Sequence, residues 1–490
     1  MTYNYITKPN KITAKQVREN NFSFSVGDYI VIPLSINSVP LKNLLELSYI
    51  NSNVDSSFYF PKTNNFLITN SCINNNLTLN LEKLTTITKK GFDTKAKIIT
   101  KKNDVLVANN GSVGQIASVR EGVGFITNSN ITLLRFFDPS MAYYVVGMFY
   151  SSWFKQQCSF ISSKSSTQEF ITRDALENLQ ILFPTTTNHE NPQLVQDYIS
   201  LLVQNIIDKE ENIARKNKLI DQLIETELND NQKDSKFVYK MPTRSQIILE
   251  ERFDAGFYSG EGARLEQKIL QYQNSFYKID KKNIRTGNTP KDYIYETEHK
   301  PELYSWITPK NINGRTLSEI TYLRSAKKSP ISKFSIVLAG VRYVGNGVFC
   351  DGKSKVYSNQ NTLIVKQFSD LKSQIFLLCF LTSGIGQLLQ MRRRITGIVP
   401  ILYLSDLAKI PIPSFSQPKQ EEITVEYYNE VKNDDTVFAF TNYLENNKKR
   451  NAQLGIFQLN MELFDLREEL EKLVFDIVMR NKINLENLYV

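Results

Sequence analysis

"LAGVRYVGNGVFCDGKSKVYSNQNTLIV", residues 338–365, sets a glycine-punctuated turn, a short hairpin and two asparagines flanking Gln360 ahead of an apolar strand. Residues 107–134, "VANNGSVGQIASVREGVGFITNSNITLL", run through the same order in different words. Laid over one another, they bring Gly114 onto Gly345, Asn128 onto Asn359 and Asn130 onto Asn361, a constant offset of 231 residues. At that offset, without a gap, Ala108 meets Ala339, Val113 meets Val344, Phe149 meets Phe380, Ser152 meets Ser383, Gln156 meets Gln387, Leu176 meets Leu407 and Ile181 meets Ile412. Apolar positions follow, with Val105, Leu106 and Val107 on Ile336, Val337 and Leu338. A period this long is a duplicated domain, because solenoid and propeller repeats return every ~20–50 residues. The chain therefore reads as two copies of one module. Two linked modules suit the reading of two places on one extended partner, since linkage raises the effective concentration of the second contact.

Composition points the same way. At 490 residues with 41% hydrophobic content, the chain has room for two to four domains with substantial cores. Fifty-nine Lys and Arg against fifty Asp and Glu give a net charge of +9, which favours a polyanionic partner through counterion release. Cys72, Cys158, Cys350 and Cys379 are scattered, with no CxxC and only His189 and His299 beside them, so reduced buried thiols are expected and a zinc site is not. The longest apolar run, "IFLLCFL" at 375–381, is far short of the ~18 residues of a membrane helix. The opening "MTYNYITKPNK" has no apolar signal stretch, so a soluble, cytoplasmic protein is expected.

Each copy divides into three stages. A β-rich stretch comes first: "DVLVANNG", "QIASV" and "NITLLRF" in copy one, "SIVLAG", "NGVFC" and "NTLIVKQF" in copy two. One packed helix is predicted next in each, from "MAYYVVGMFYSSWFKQQ" and "SQIFLLCFLTSGIGQLLQ", followed by a polar segment and a short strand ending in proline. The third stage is a long helix. Ile199, Ile206, Ile213 and Ile220 recur every seven residues, with Leu202 and Leu223 at the complementary positions. Towards the C-terminus Ile456, Leu459, Leu463, Leu466, Leu470, Leu473 and Ile477 step by three and four. The expected fold is α+β: two tandem β-rich modules with packed helices, each followed by a long helix, the two helices pairing as an antiparallel coiled-coil spacer with pseudo-twofold symmetry.

In copy two "IRTGNTPKDYIY", "YSWITPKNINGRTL", "FSIVLAGVRYVGNGVF", "SNQNTLIV" and "GIVPILYLSDLAKIPIPSFSQPKQEEI" follow one another, and "ERFDAGFYS" opens the copy. That order of segments resembles the specificity subunit of type I restriction-modification systems, over nearly the whole chain. The resemblance implies two DNA target-recognition domains, each with its spacer helix, docked on two methyltransferase subunits and on restriction and motor subunits. It places target-recognition domain 1 at 1–188, the first spacer helix at 189–228, a linker at 229–248, target-recognition domain 2 at 249–415, and the second spacer helix with the C-terminal tail at 416–490. Copy one lacks the Gly-x-Thr-Pro and Trp-x-x-Pro-Lys segments and keeps the pattern only from Val105 onward.

No catalytic signature competes with that reading. Adenine methylation needs an Asn or Asp followed by Pro-Pro and an aromatic to grip the flipped base, and the chain holds no Pro-Pro. "GNGVF" at 345–349 runs on as a strand, so it offers no helix N-terminus to a nucleotide. Asp254, Glu266 and Lys268 could form the acid, acid, lysine set of a stand-alone metal-dependent nuclease, yet "EGARLEQKILQY" reads as an ordinary amphipathic helix. A protein-interaction scaffold without nucleic acid is the third alternative. The chain itself is expected to hold no cofactor or metal; S-adenosylmethionine, ATP and Mg belong to the partners that the resemblance implies. Double-stranded DNA is the expected ligand and no membrane is involved.

Candidate readers follow from base-edge chemistry. Arg bonds guanine bidentately in the major groove and Asn or Gln does so with adenine, which picks out Arg342 with Tyr343, and Asn109, Asn110, Ser112 and Gln115 at the matching turn. The polar segments after the packed helices, "SSKSSTQ" and "MRRRITG", add Lys164, Ser165, Arg392, Arg393 and Arg394 as phosphate or base contacts, and Lys310 joins them. Asn128, Asn130, Asn359 and Asn361 are read as hydrogen bonders at strand entry.

Overall fold

The computed structural model describes residues 11–19, 37–74, 76–111, 113–121, 123–161, 163–164, 169–233, 237–289, 295–296, 304–323, 330–353, 355–395, 398–431 and 440–485. They form two compact units. One takes Met1–Glu211, Asp434–Lys449 and Asp465–Val490; the other takes Asn212–Asn433 and Arg450–Phe464.

In the first unit the strands Leu45–Tyr49, Ile131–Phe136, Val105–Ala108 and Ile116–Ser118 lie side by side in that order, antiparallel throughout. Every residue of Val105–Ala108 is buried, as a continuous apolar run requires when both faces of a sheet are covered. Leu106, Ala108, Ile131 and Leu133 point into a core shared with Ile68, Cys72 and Val119.

The second unit repeats this sheet with the strands Ile284–Thr286, Thr362–Val365, Ser335–Ala339 and Gly347–Cys350. The register repeats as well. Val105 faces Leu134 and Ser118, and Ile336 faces Val365 and Phe349, every position 231 residues on. A slip of one residue would turn each apolar side chain to the opposite face, so this agreement fixes the two copies as one fold.

The likeness of the two modules, legible in the sequence only from Val105 onward, extends upstream of it in the structure. Leu67 pairs in parallel with Ile126, as Trp306 pairs in parallel with Tyr357 in the second unit. Thr69 (φ −112°) then opens a 3-10 turn as Thr308 (φ −120°) does. Residues 126 and 357 keep the 231-residue offset while 67 and 306 stand 239 apart, so an ungapped comparison loses the match. The strand needs only a short buried apolar run, which Phe66–Ile68 supplies without the Trp-x-x-Pro-Lys spelling.

The packed helix of each copy is broken rather than single. Met141–Tyr150 gives way to Ser152–Ile161 at Ser151, and Leu371–Thr382 to Gly384–Arg393 at Ser383, where the axis bends by 68°. At both breaks the serine hydroxyl donates back to a carbonyl, Met148 O at 2.6 Å or Phe380 O at 2.7 Å. It also accepts the amide three residues on, from Phe154 or Gly386, and so caps the next helix. The residue matching Ser383 in this role is Ser151, one place before the Ser152 that the ungapped alignment gives.

The first long helix spans Pro192–Asp230. Ile199, Leu202, Ile206, Ile213 and Ile220 are buried, but Leu223 is only half-buried and the stripe continues through Ile224 and Leu228. Its spacing there changes from seven residues to four. The C-terminal part, expected as one helix with a tail, holds three helices among the described residues: Gln417–Tyr427, Tyr443–Gln453 and Ile456–Met479. Asn429 holds the last break, its side-chain amide donating to Gln453 O at 2.7 Å. Leu459, Leu463, Leu470, Leu473 and Ile477 are buried and Leu466 is half-buried. Among the described residues no single helix is long and apolar enough to cross a membrane.

Candidate nucleic-acid interface

Three loops meet at one end of the four-stranded sheet in the second unit, because its strands alternate in direction. Residues 287–289 leave the strand Ile284–Thr286, residues 340–346 join two strands, and residues 358–361 lead into Thr362–Val365. Gly340 N donates to Asn361 O (2.9 Å) and Asn288 N to Ser358 O (2.7 Å), which ties the loops into one surface. Leu402 N donates to Gly340 O (2.8 Å) and Arg342 N to Pro400 O (2.9 Å), adding a fourth segment. The first unit builds the same end: Asn109 N bonds Asn130 O (2.8 Å) and Ile171 N bonds Asn109 O (2.9 Å).

The turn backbone repeats too. Gly111 and Gly114 have φ of 78° and 79°; at the matching positions Arg342 and Gly345 have 68° and 101°. Glycine adopts this left-handed region without the Cβ clash that burdens other residues. Arg342 is exposed, and its guanidinium makes no hydrogen bond or ion pair with the described residues; Tyr343 beside it is 42% exposed. Asn128 Oδ1 accepts the Asn130 amide at 3.1 Å and Asn359 Oδ1 accepts the Asn361 amide at 3.2 Å, the same Asx turn at strand entry in both units.

Asn109 is not displayed for reading. It is 5% exposed and its amide is hydrogen-bonded to the Thr132 hydroxyl at 2.7 Å, so it braces the sheet instead. Asn110 is half-buried, its carbonyl accepting from Asn70 Nδ2 (2.6 Å), and Gln115 is half-buried with its carbonyl accepting from Ala108 N (2.8 Å). Ser112 and Ser165 lie outside the described residues, and Lys164 closes the short strand Ser163–Lys164. Lys310 is exposed beside Glu319, 3.6 Å away.

Arg392 and Arg393, which end the bent helix, make ion pairs within their own unit. Arg393, with 4% of its side chain exposed, bonds Glu266 (2.8 Å) and Glu250 (3.2 Å), and Arg392 also bonds Glu266. Arg394 Nη1 lies 2.7 Å from Met391 Sδ. "ERFDAGFYS" closes the knot: Arg252 donates to the carbonyl oxygens of Arg393 and Arg394, Asp254 binds Arg252 (2.9 Å), and Phe257 lies under Arg392 and Arg393 with 4.5 and 5.3 Å from guanidinium carbon to ring centre. Burial works to raise the Glu266 carboxyl, but the charges of Arg393 and Arg392 hold it below the usual carboxylate range. On this amphipathic helix Glu266 is therefore ion-paired within its unit, a pairing that the helical pattern did not disclose.

Buried polar groups on the long helices also escape a heptad count. In the first unit Glu471 accepts from Ser152 N (2.7 Å) and Ser152 Oγ (2.8 Å), and Tyr198 donates to Glu469. Glu210 is joined by Arg467 and by Asn76 Nδ2 (2.8 Å). In the second, Arg315 is held by Asn217 Oδ1 (2.9 Å), Asp221 (2.5 Å) and Thr382 Oγ1 (2.9 Å), and Lys216 by Glu426 (2.6 Å). All four cysteines are buried and unpaired, and burial pushes the thiols of Cys158, Cys350 and Cys379 up to about 12. Among the described residues no group of three His, Cys, Asp or Glu side chains could hold a metal ion.

Comparison with known proteins gives a family match over part of the chain. Residues 36–222 match the type I restriction modification DNA specificity domain. Among solved structures the chain is similar to the S subunit of a type I restriction-modification system from M. genitalium, with 13% identity, a TM-score of 0.42, and 94% of this chain and 98% of that one covered. It is also similar to the HsdS subunit from Thermoanaerobacter tengcongensis, with 13% identity, a TM-score of 0.29, and 92% and 98% covered. No curated protein matches the sequence.

Proposed function

We propose, from the type I restriction modification DNA specificity domain that residues 36–222 carry, that this chain is the DNA-recognition subunit of a type I restriction-modification complex and reads a target in two parts. The observation that carries the two-part reading is the duplicated sheet end. Both units present the same loops in the same register, while the residues at the tips differ: Gly111 against Arg342, and Ser129 against Gln360. One frame with two sets of side chains suits two half-sites of different sequence.

The chemistry belongs to partners in this reading. Two methyltransferase subunits bring S-adenosylmethionine and methylate adenine; restriction and motor subunits bring ATP hydrolysis, with Mg, and cleavage. The assembly works in the cytoplasm. Target-recognition domains at 1–188 and 249–415 do the reading, while the helices at 189–228 and within 416–490 pair as an antiparallel spacer that sets the unread gap. The membership of the helices is in keeping with this: Pro192–Asp230 contributes its first part to one unit and its second to the other, and Ile456–Met479 does so in the opposite order.

Exchange of residues 249–415 for the matching module of another specificity protein tests the reading. One half-site should change while the other half and the gap persist. A change in both halves, or in neither, contradicts it.

A further inference from the structure

We propose that Gln360, held in place by Thr289, reads one adenine of the target from the major groove. The inference rests on the DNA-recognition function above and names a specificity-determining residue for it.

Gln360 is the exposed central residue of the turn that Asn359 closes on Asn361. The first unit builds the same turn from Asn128 and Asn130 and carries Ser129 at its centre. The framing asparagines repeat and the displayed side chain does not, which marks the position as one where the fold leaves the choice of residue open. The turn also lies next to the backbone of the Arg342 hairpin, through the bond from Gly340 N to Asn361 O (2.9 Å).

A second segment clamps the turn. Gly287 packs so closely on it that a Cβ there would sit 2.1 Å from Asn359 O and 2.6 Å from Ser358 O, so only glycine fits. Gly287 N donates to Thr362 O (3.1 Å) and Asn288 N to Ser358 O (2.7 Å). This places the Thr289 hydroxyl where it donates to Gln360 Oε1. The amide oxygen is thereby held by Thr289, while the N–H groups make no hydrogen bond with the described residues. Adenine shows N7 as acceptor and its N6 amino group as donor in the major groove, which one carboxamide satisfies at once. Holding the side chain beforehand lowers the ordering entropy lost on binding. Thr289 is the positioning residue and Gln360 the reader.

The test uses the chain assembled with its methyltransferase subunits and a set of duplexes substituted one base pair at a time. Gln360→Glu is nearly isosteric and replaces the amide donor by an acceptor, so preference at one A·T pair should move to C·G, whose cytosine amino group donates to a carboxylate. Gln360→Ala should lower discrimination at that same pair roughly ten- to a hundredfold without creating a new preference. Thr289→Val should weaken discrimination at that pair alone. A wild-type complex with no two-part preference contradicts the recognition function itself. A two-part preference that Gln360→Glu and Gln360→Ala leave unaltered overturns the assignment of Gln360, and a loss at many positions together shows that the residue only supports the turn.

Discussion

Arg342 holds a left-handed backbone (φ 68°) at the place where Gly111, 231 residues earlier, holds φ 78°. Strain of this kind persists where a site makes use of it. Arg342→Gly should therefore stabilise the second unit by about 1 kcal/mol while relaxing one base position of the target. Arg342→Ala keeps the strained backbone and loses the guanidinium, costing roughly 1–3 kcal/mol of discrimination at that position with no gain in stability. Urea midpoints and duplex binding, measured side by side, separate the two effects.

Glu266 holds Arg392 and Arg393 inside the second unit, where their side chains are 9% and 4% exposed. Removal of one partner leaves a buried charge without compensation, so Glu266→Ala should destabilise this unit by about 3–5 kcal/mol. Arg393→Ala should likewise lower stability, yet leave the slope of log affinity against log salt unchanged. A phosphate contact would lower that slope by about one.

Glu471 gives the first unit a pH dependence. Burial raises its carboxyl above the ordinary 4.5, and the bonds from Ser152 only partly offset this. The folded state then holds a proton that the unfolded state releases, so this contribution is full below pH 4.5 and is lost as pH rises through the higher folded value. Thermal midpoints measured from pH 4.5 upward should fall less steeply for Glu471→Gln than for the wild type. Glu471→Ala should lose about 1–3 kcal/mol, because Ser152 N and Oγ lose their acceptor.

Four residues inserted after Lys216 lengthen the first long helix by about 6 Å and turn it by close to one full turn, so its apolar stripe is nearly preserved. Base pairs stack about 3.4 Å apart, so the unread gap should grow by one or two pairs with both half-sites unchanged. An altered half-site, or an unchanged gap with methylation intact, would remove the helices from the role of ruler.

The duplication was legible because the strands Val105–Ala108 and Ser335–Ala339 are buried on both faces and so keep their apolar spelling. The strand Phe66–Ile68 was not, since a two-residue parallel pairing constrains so little that its sequence drifts and its spacing shifts by eight. Charge and place in the repeat picked out Arg392 and Arg393; their partners Glu250 and Glu266 lie more than 100 residues away, and sequence proximity carries no trace of such pairing. Asn109 failed as a reader for the complementary reason: its amide is bonded to Thr132 on the neighbouring strand, a contact made only once the sheet has formed. Local turn chemistry fared better, since Asn359 and Asn361 lie within one turn and their bond depends on nothing distant.

Mapping of every methylated adenine in cells that express this chain with the methyltransferase subunits of the proposed complex tests the two-reader account most directly. Two short specified half-sites of different sequence, separated by a constant unspecified gap, are the expected result. A single contiguous motif, or one half-site with no second, would contradict it.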